Sequence, residues 1–232
     1  MVRFRWSVLI GLSVMMGVLG ARTASAQKQS PPGPFVIDVR GDFAGFTPTD
    51  TSAAAFNLTK TQMPSRGFGF EVGAHVYPLR SRHITLGIGG NWLTSRGNRV
   101  PDPVAAPRDP TVREKFETFD GQLSLNFGTS EGWSYVSGGI GSSRRSIQSF
   151  PVTASVVNGQ ITYTQSTEPL TADGLRSRTV NYGGGARWFA SSHFAFGFDL
   201  RWYAVSPTLA TATMPALPRQ TLFIANAGIS IH

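Results

Sequence analysis

From Phe35 onward the chain alternates apolar and polar residues with period two in eight separate segments. The connectors between them are long and short in turn. Period-two alternation places successive side chains on opposite faces of an extended chain. The expected strands are Phe35–Phe46, Gly67–Leu79, Ile84–Thr94, Lys115–Gly128, Trp133–Ser143, Thr179–Ala190, Phe194–Val205 and Thr221–His232. In the seventh, Phe194, Phe196, Phe198, Leu200 and Trp202 oppose Asp199, Arg201 and Tyr203. Each segment is about long enough to cross a bilayer as a tilted strand. Long, Pro-containing connectors follow strands one, three, five and seven, and turns of three or four residues follow strands two, four and six. A soluble barrel has no reason to sort its loops by end. Bacterial membrane barrels do so, with short periplasmic turns and long external loops. The expectation is an all-β, eight-stranded antiparallel up-and-down transmembrane β-barrel over residues 35–232, integral to a bacterial outer membrane.

An even strand count puts both termini on the periplasmic side, which requires export. Arg3 and Arg5, the apolar run Trp6–Leu19 and Ala24-Ser25-Ala26 read as the three parts of a secretory signal peptide over residues 1–26. The apolar run is shorter than the ~20 residues a membrane helix needs. Residues 27–34 (QKQSPPGP) are expected to form a flexible periplasmic tail.

Composition agrees with an apolar outer face: only 15% of residues are charged, against roughly 25% in soluble proteins. The absence of cysteine excludes a disulfide framework and Cys-ligated metal or iron–sulfur sites. The formal charge is +8, and removal of Arg3, Arg5 and Arg22 with the signal leaves an excess of five. That suits anionic lipid headgroups. The basic residues form no stripe interleaved with exposed aromatics, so nucleic acid is not the expected partner. Aromatic residues are expected in two girdles: Tyr77, Phe127, Trp133, Trp188 and Phe194 at the periplasmic end, and Phe43, Phe68, Trp92, Phe119, Trp202 and Phe223 at the outer end. Asn158-Gly159 between two alternating stretches predicts a hairpin projecting from the third long connector.

If lipid takes the apolar faces, the polar faces fill the lumen. Asp38, Arg40, Glu71, His75, Asp120, Arg187, Asp199 and Arg201 are then the expected lumen charges. Eight strands enclose a space that side chains fill, so these charges must pair with one another. Arg40, Arg187 and Arg201 are the expected centre, with Glu71, Asp120 and Asp199 as candidate partners and His75 beside Glu71. A filled lumen argues against a general porin and leaves a narrow channel as the rival. Among the outer-loop arginines, Arg96, Arg99, Arg144, Arg145, Arg176 and Arg178 are candidates for contact with lipopolysaccharide phosphates, which Arg binds bidentately.

The stretch Tyr182-Gly183-Gly184-Gly185-Ala186-Arg187-Trp188-Phe189, a short turn, then Phe194-Ala195-Phe196-Gly197-Phe198-Asp199-Leu200-Arg201-Trp202-Tyr203 resembles the outer-membrane β-barrel domain family. That family includes opacity-type surface proteins and OmpA-like transmembrane domains. The resemblance implies insertion by the barrel-assembly machinery and a structural or surface-interaction role through the external loops, with no catalytic residue and no cofactor. The sequence ends on His232 where such barrels usually end on an aromatic residue. Two further readings stand beside this one. A soluble lipocalin-like binder would line a cavity with the apolar faces. A lipid A-modifying barrel enzyme would need a His, a Ser and an acid at one depth on outward positions, a grouping not found here.

Overall fold

The computed structural model describes residues 33–81, 83–129, 131–210 and 215–232. The expected signal peptide and most of the tail lie outside the described residues. Eight long strands form the barrel: β1 (Phe35–Gly45), β2 (Arg66–Arg80), β3 (Ile84–Arg99), β4 (Thr111–Thr129), β5 (Gly132–Phe150), β9 (Ser177–Phe189), β10 (Phe194–Val205) and β11 (Gln220–Ile231). The third long connector adds three short strands, β6 (Val152–Val157), β7 (Gln160–Gln165) and β8 (Leu170–Asp173). Each barrel strand pairs antiparallel with the next, and β1 pairs with both β2 and β11. Every barrel strand therefore has two neighbours and the barrel has no open edge, which is what closure requires.

Side chains alternate between the two sides as the pleat dictates. On β1, Phe35, Ile37, Val39 and Phe43 are exposed while Val36, Asp38, Arg40, Asp42 and Ala44 are buried. Outward apolar or glycine positions run over nine residues on nearly every strand, for example Ile84 to Trp92, Phe119 to Phe127, Phe194 to Trp202 and Phe223 to Ile231. Nine residues tilted by about 40° rise roughly 23 Å, close to the apolar band of a membrane barrel.

Strands β3, β4 and β5 are longer than the alternation predicts, reaching Arg99, back to Thr111, and on to Phe150. Above the apolar band both faces carry polar residues, so the period disappears from the sequence while the ladder of backbone hydrogen bonds continues. The result is a wall standing above one side of the barrel. The first long connector is not plain loop either. It holds α1 (Asp50–Ala54), whose capping residue Thr49 accepts a hydrogen bond from the Ser52 amide at 3.1 Å. The helix sets Ala53 beside Met63 against Val112 and Ile147 of the wall.

The hairpin expected at Asn158-Gly159 is present as β6–β7, with φ of 53° and 78° at the two turn residues. Both values lie in the left-handed region that a type I′ turn demands. A Cβ on Gly159 meets no atom within 4 Å, so Gly159→Val acts through backbone strain alone. The expected result is a hairpin weakened by about 1 kcal/mol. Limited proteolysis should cut the variant within 152–165 faster than the parent, with the barrel's urea midpoint unchanged.

Two of the expected girdle residues are displaced. Tyr77 and Trp133 do not join the girdle expected at the periplasmic, short-turn end; they are buried inside, with ring centroids 5.1 Å apart. Tyr77 follows the outward Val76, so the pleat turns it inward. The outward aromatics at this short-turn end are Phe35, Phe127, Trp188 and Phe194.

Candidate functional site

The lumen is built in layers. At the short-turn end Val36, Tyr77, Trp133, Phe189 and Ala195 pack together. At the long-loop end Ala44, Phe46, Leu93, Phe116, Tyr203, Leu222 and Ile224 do the same. The ionic residues lie between, as the order along β1 shows: Val36, then Asp38, Arg40 and Asp42, then Ala44. Charges enclosed in this way cannot reach water and must find partners within the layer.

Asp38 is the hub. It accepts hydrogen bonds from Arg187 Nη2 at 2.7 and 2.8 Å and one from Ser230 Oγ. Arg40 Nη2 lies 3.0 Å from it and His75 Nδ1 3.4 Å. Arg40 also donates to Glu71, its cross-strand neighbour, at 3.1 Å, and Glu71 accepts from Asn226 at 3.2 Å. A second centre is Arg201, which grips Asp199 with Nε at 2.9 Å and Nη2 at 3.0 Å and donates further to Asn181 and Ser137. Arg187 completes its own set with Tyr77 OH at 2.8 Å and Ser230 at 3.1 Å.

All eight expected lumen charges point inward and are less than 9% exposed. Their pairing differs from the expectation in two places. Among the described residues Asp120 forms no ion pair; its carboxylate accepts from Gln122 at 2.8 Å. His75 pairs with Asp38 rather than Glu71. Asp38 was expected only as one lumen charge among several, and its central place follows from closure, which sets β1 beside β11 and brings Arg187 across the lumen. Glycines make room for these large groups. Arg201 stands opposite Gly183, Arg187 opposite Gly197 and Arg40 opposite Gly228. A Cβ on Gly228 would lie 2.2 Å from the Val39 carbonyl oxygen, and one on Gly183 2.2 Å from that of Leu200. The sequence carried this signal as glycine on the polar face, facing the largest lumen side chains.

Inside lies a cavity of about 10 Å³ bordered by Arg40, His75, Tyr135, Arg187 and Arg201 among others, room for about one water. Chemically the layer is a cross-brace. Among the described residues no group of His and carboxylates is arranged to hold a metal ion. His83 and His193 lie in the short turns, and the His232 ring packs edge-on against Phe189 at 4.9 Å.

The long-loop end is different. A groove of about 540 Å³ lies between the connectors, lined by Phe56, Leu58, Pro110, Pro151, Leu170 and Pro215 among others. Val100, Val104, Val156, Ile161 and Leu209, all beyond the apolar band, are between 59% and 87% exposed. The six candidate lipid-contact arginines separate here. Arg96 and Arg144 sit on the outward face of the wall, Arg144 with Asp173 at 3.2 Å. Arg176 and Arg178 are exposed. Arg99 donates to the backbone oxygens of Thr61 and Val100, tying two connectors together. Arg145 turns inward to Glu114 and Gln220 and does not face lipid.

The backbone is similar to that of Neisserial surface protein A, with a TM-score of 0.52, 10% identity, and coverage of 86% of this chain and 97% of that one. Also similar are the N-terminal β-barrel domain of Pseudomonas aeruginosa OprF (TM-score 0.37, 10% identity, 85% and 96% covered) and the Yersinia pestis attachment invasion locus protein Ail in complex with the heparin analogue sucrose octasulfate (TM-score 0.39, 10% identity, 84% and 96% covered). At such identity the first of these establishes the fold, a closed eight-stranded barrel of the bacterial outer-membrane type. No sequence-family model matches the chain, and no curated protein is similar to it at the level of sequence.

Proposed function

We propose, from the fold shared with eight-stranded outer-membrane barrels, that this chain is an integral outer-membrane protein acting through its long-loop end as a surface-interaction or envelope-structural element. The observation that carries this reading is the exposed apolar band, about nine residues tall, around a lumen closed by its own side chains. A water-soluble protein would leave that band as a contiguous apolar belt in solvent, far beyond the few hundred Å² usual for a monomer. In this reading residues 1–26 direct export, the barrel-assembly machinery inserts the chain and both termini stay periplasmic. The groove and the exposed loop valines and leucines are the surface offered to an external ligand.

A channel is the less favoured reading, because both ends of the ionic layer are covered by packed rings. A catalytic role is not proposed: the histidines are dispersed, and the lumenal His75 is engaged with Asp38. The decisive experiment is gel mobility of outer-membrane fractions with and without boiling, together with carbonate extraction. The expected result is a folded band that shifts on heating and stays in the carbonate-washed pellet. Release by carbonate would overturn the membrane assignment. Planar bilayers with the purified protein should show no stable single-channel steps, and lipid A mass spectra should be the same with and without it.

A further inference from the structure

The wall formed by β3, β4 and β5 presents an outward face above the apolar band. Its composition changes abruptly there. The last apolar cross-strand row holds Trp92 and Phe119. The next outward row is Thr94, Glu117 and Arg144, then Arg96, Lys115 and Ser146, then Asn98, Arg113 and Gln148. Successive rows on one face are about 7 Å apart along a strand. Four cations thus stand within three rows of the boundary. Two are partly neutralised: Lys115 lies 2.7 Å from Glu117, and Arg144 lies 3.2 Å from Asp173. Among the described residues no carboxylate pairs with Arg96 or Arg113. The Arg113 guanidinium rests 4.8 Å from the centre of the Phe150 ring, which limits its freedom before any ligand arrives.

The upper two rows enclose a depression of about 500 Å³ lined by Arg96, Asn98, Arg113, Lys115, Ser146 and Gln148. Glu114 also borders it, buried and paired with Arg145, and the remaining polar side chains of the lining are of two kinds. Guanidinium and ammonium groups suit phosphate oxygens, and Arg does so with a bidentate fork. The amides of Asn98 and Gln148 and the hydroxyl of Ser146 suit the hydroxyls of a sugar. Directly below, Trp92, Phe119 and Leu123 offer an apolar surface for acyl chains. A soluble anion would use only the upper part of this surface; a lipid with a phosphorylated sugar headgroup would use all of it.

We propose that this face is a specific site for one phosphorylated glycolipid of the lipid A type, with the phosphates on Arg96, Lys115 and Arg113 and the acyl chains over Trp92 and Phe119. The proposal rests on the membrane reading above. It narrows the arginines available to lipid to those of one wall, and adds Arg113 and Lys115 to them.

The test is native mass spectrometry of the purified protein in non-ionic detergent. It is offered, in turn, lipid A bearing two phosphates, the same lipid dephosphorylated, and phosphatidylglycerol. The expected result is retention of one bisphosphorylated lipid A with at least about tenfold preference over the dephosphorylated form, a ratio typical of one lost charge-assisted contact. The combined variant Arg96→Gln, Arg113→Gln and Lys115→Gln should lose that preference. Lys60→Gln, Arg176→Gln and Arg219→Gln together remove as many exposed charges elsewhere and should keep it. Equal loss in both variants, an unchanged preference in the first, or displacement of the lipid by millimolar inorganic phosphate overturns the proposal. Heat-modifiable mobility of each protein is read in parallel. A parent that shifts on heating yet shows no preference sinks the site alone, whereas a parent that does not shift sinks the membrane reading and the site with it.

Discussion

Asp38→Ala is expected to cost about 3–5 kcal/mol, the range for breaking a buried ion pair from one side. The reason is what it leaves behind. Arg187 has no other carboxylate within ion-pair distance among the described residues, and Arg40 loses one of two. Both guanidiniums are enclosed between packed apolar layers, and the cavity beside them holds about one water, which cannot neutralise their charge. Ser230 loses its acceptor as well, and His75 loses the carboxylate 3.4 Å from its Nδ1. Urea unfolding of the protein refolded in detergent, followed by the loss of the fast-migrating unboiled band, measures the change. Asp102→Ala is the control. Asp102 is a connector residue whose carboxylate accepts from the Val104 and Ala105 amides, and its removal should move the midpoint little. An Asp38→Ala variant within about 1 kcal/mol of the parent would mean that the ionic layer does not brace the barrel.

Leu123→Arg is the second large effect, and it tests which side of the strand is wet. Leu123 is 57% exposed and lies midway between Phe119 and Phe127 in the apolar band. Val156, in the β6–β7 hairpin, is 72% exposed. In water both positions would accept arginine within about 0.5 kcal/mol. In a bilayer, arginine at the midplane of the lipid-facing surface costs about 2–4 kcal/mol. Leu123→Arg is therefore expected to lower stability by that amount in phospholipid vesicles, while Val156→Arg leaves it unchanged. Equal tolerance of the two substitutions would remove the reason for placing this surface in hydrocarbon.

The eight strands could be read from the chain because pleating is local: a residue's face depends only on its parity within its own segment. Thus Phe35 to Phe43 outward and Asp38 to Asp42 inward follow from β1 alone. Two kinds of feature were not legible. The upper halves of β3, β4 and β5 carry polar groups on both faces, so Arg96 and Arg113 gave no period to detect. The apolar end layers were hidden for the opposite reason. Leu222 and Ile224 sit on the inward parity, and only their level in the barrel shows that they close an end rather than line the ionic layer.

The amino-acid order alone determined how many barrel strands there are, which side of each is greasy through the apolar band and which charges share the interior, since all three depend on neighbours two residues away. The partner of each charge was decided by the closed sheet. Asp38 and Arg187 are 149 residues apart in the chain, and they meet because closure fixes the stagger of every strand against its neighbours. The same closure separated arginines that look alike in sequence. Arg144 and Arg145 are adjacent, yet the pleat and the register send one to the outward face of the wall and the other to Glu114 inside.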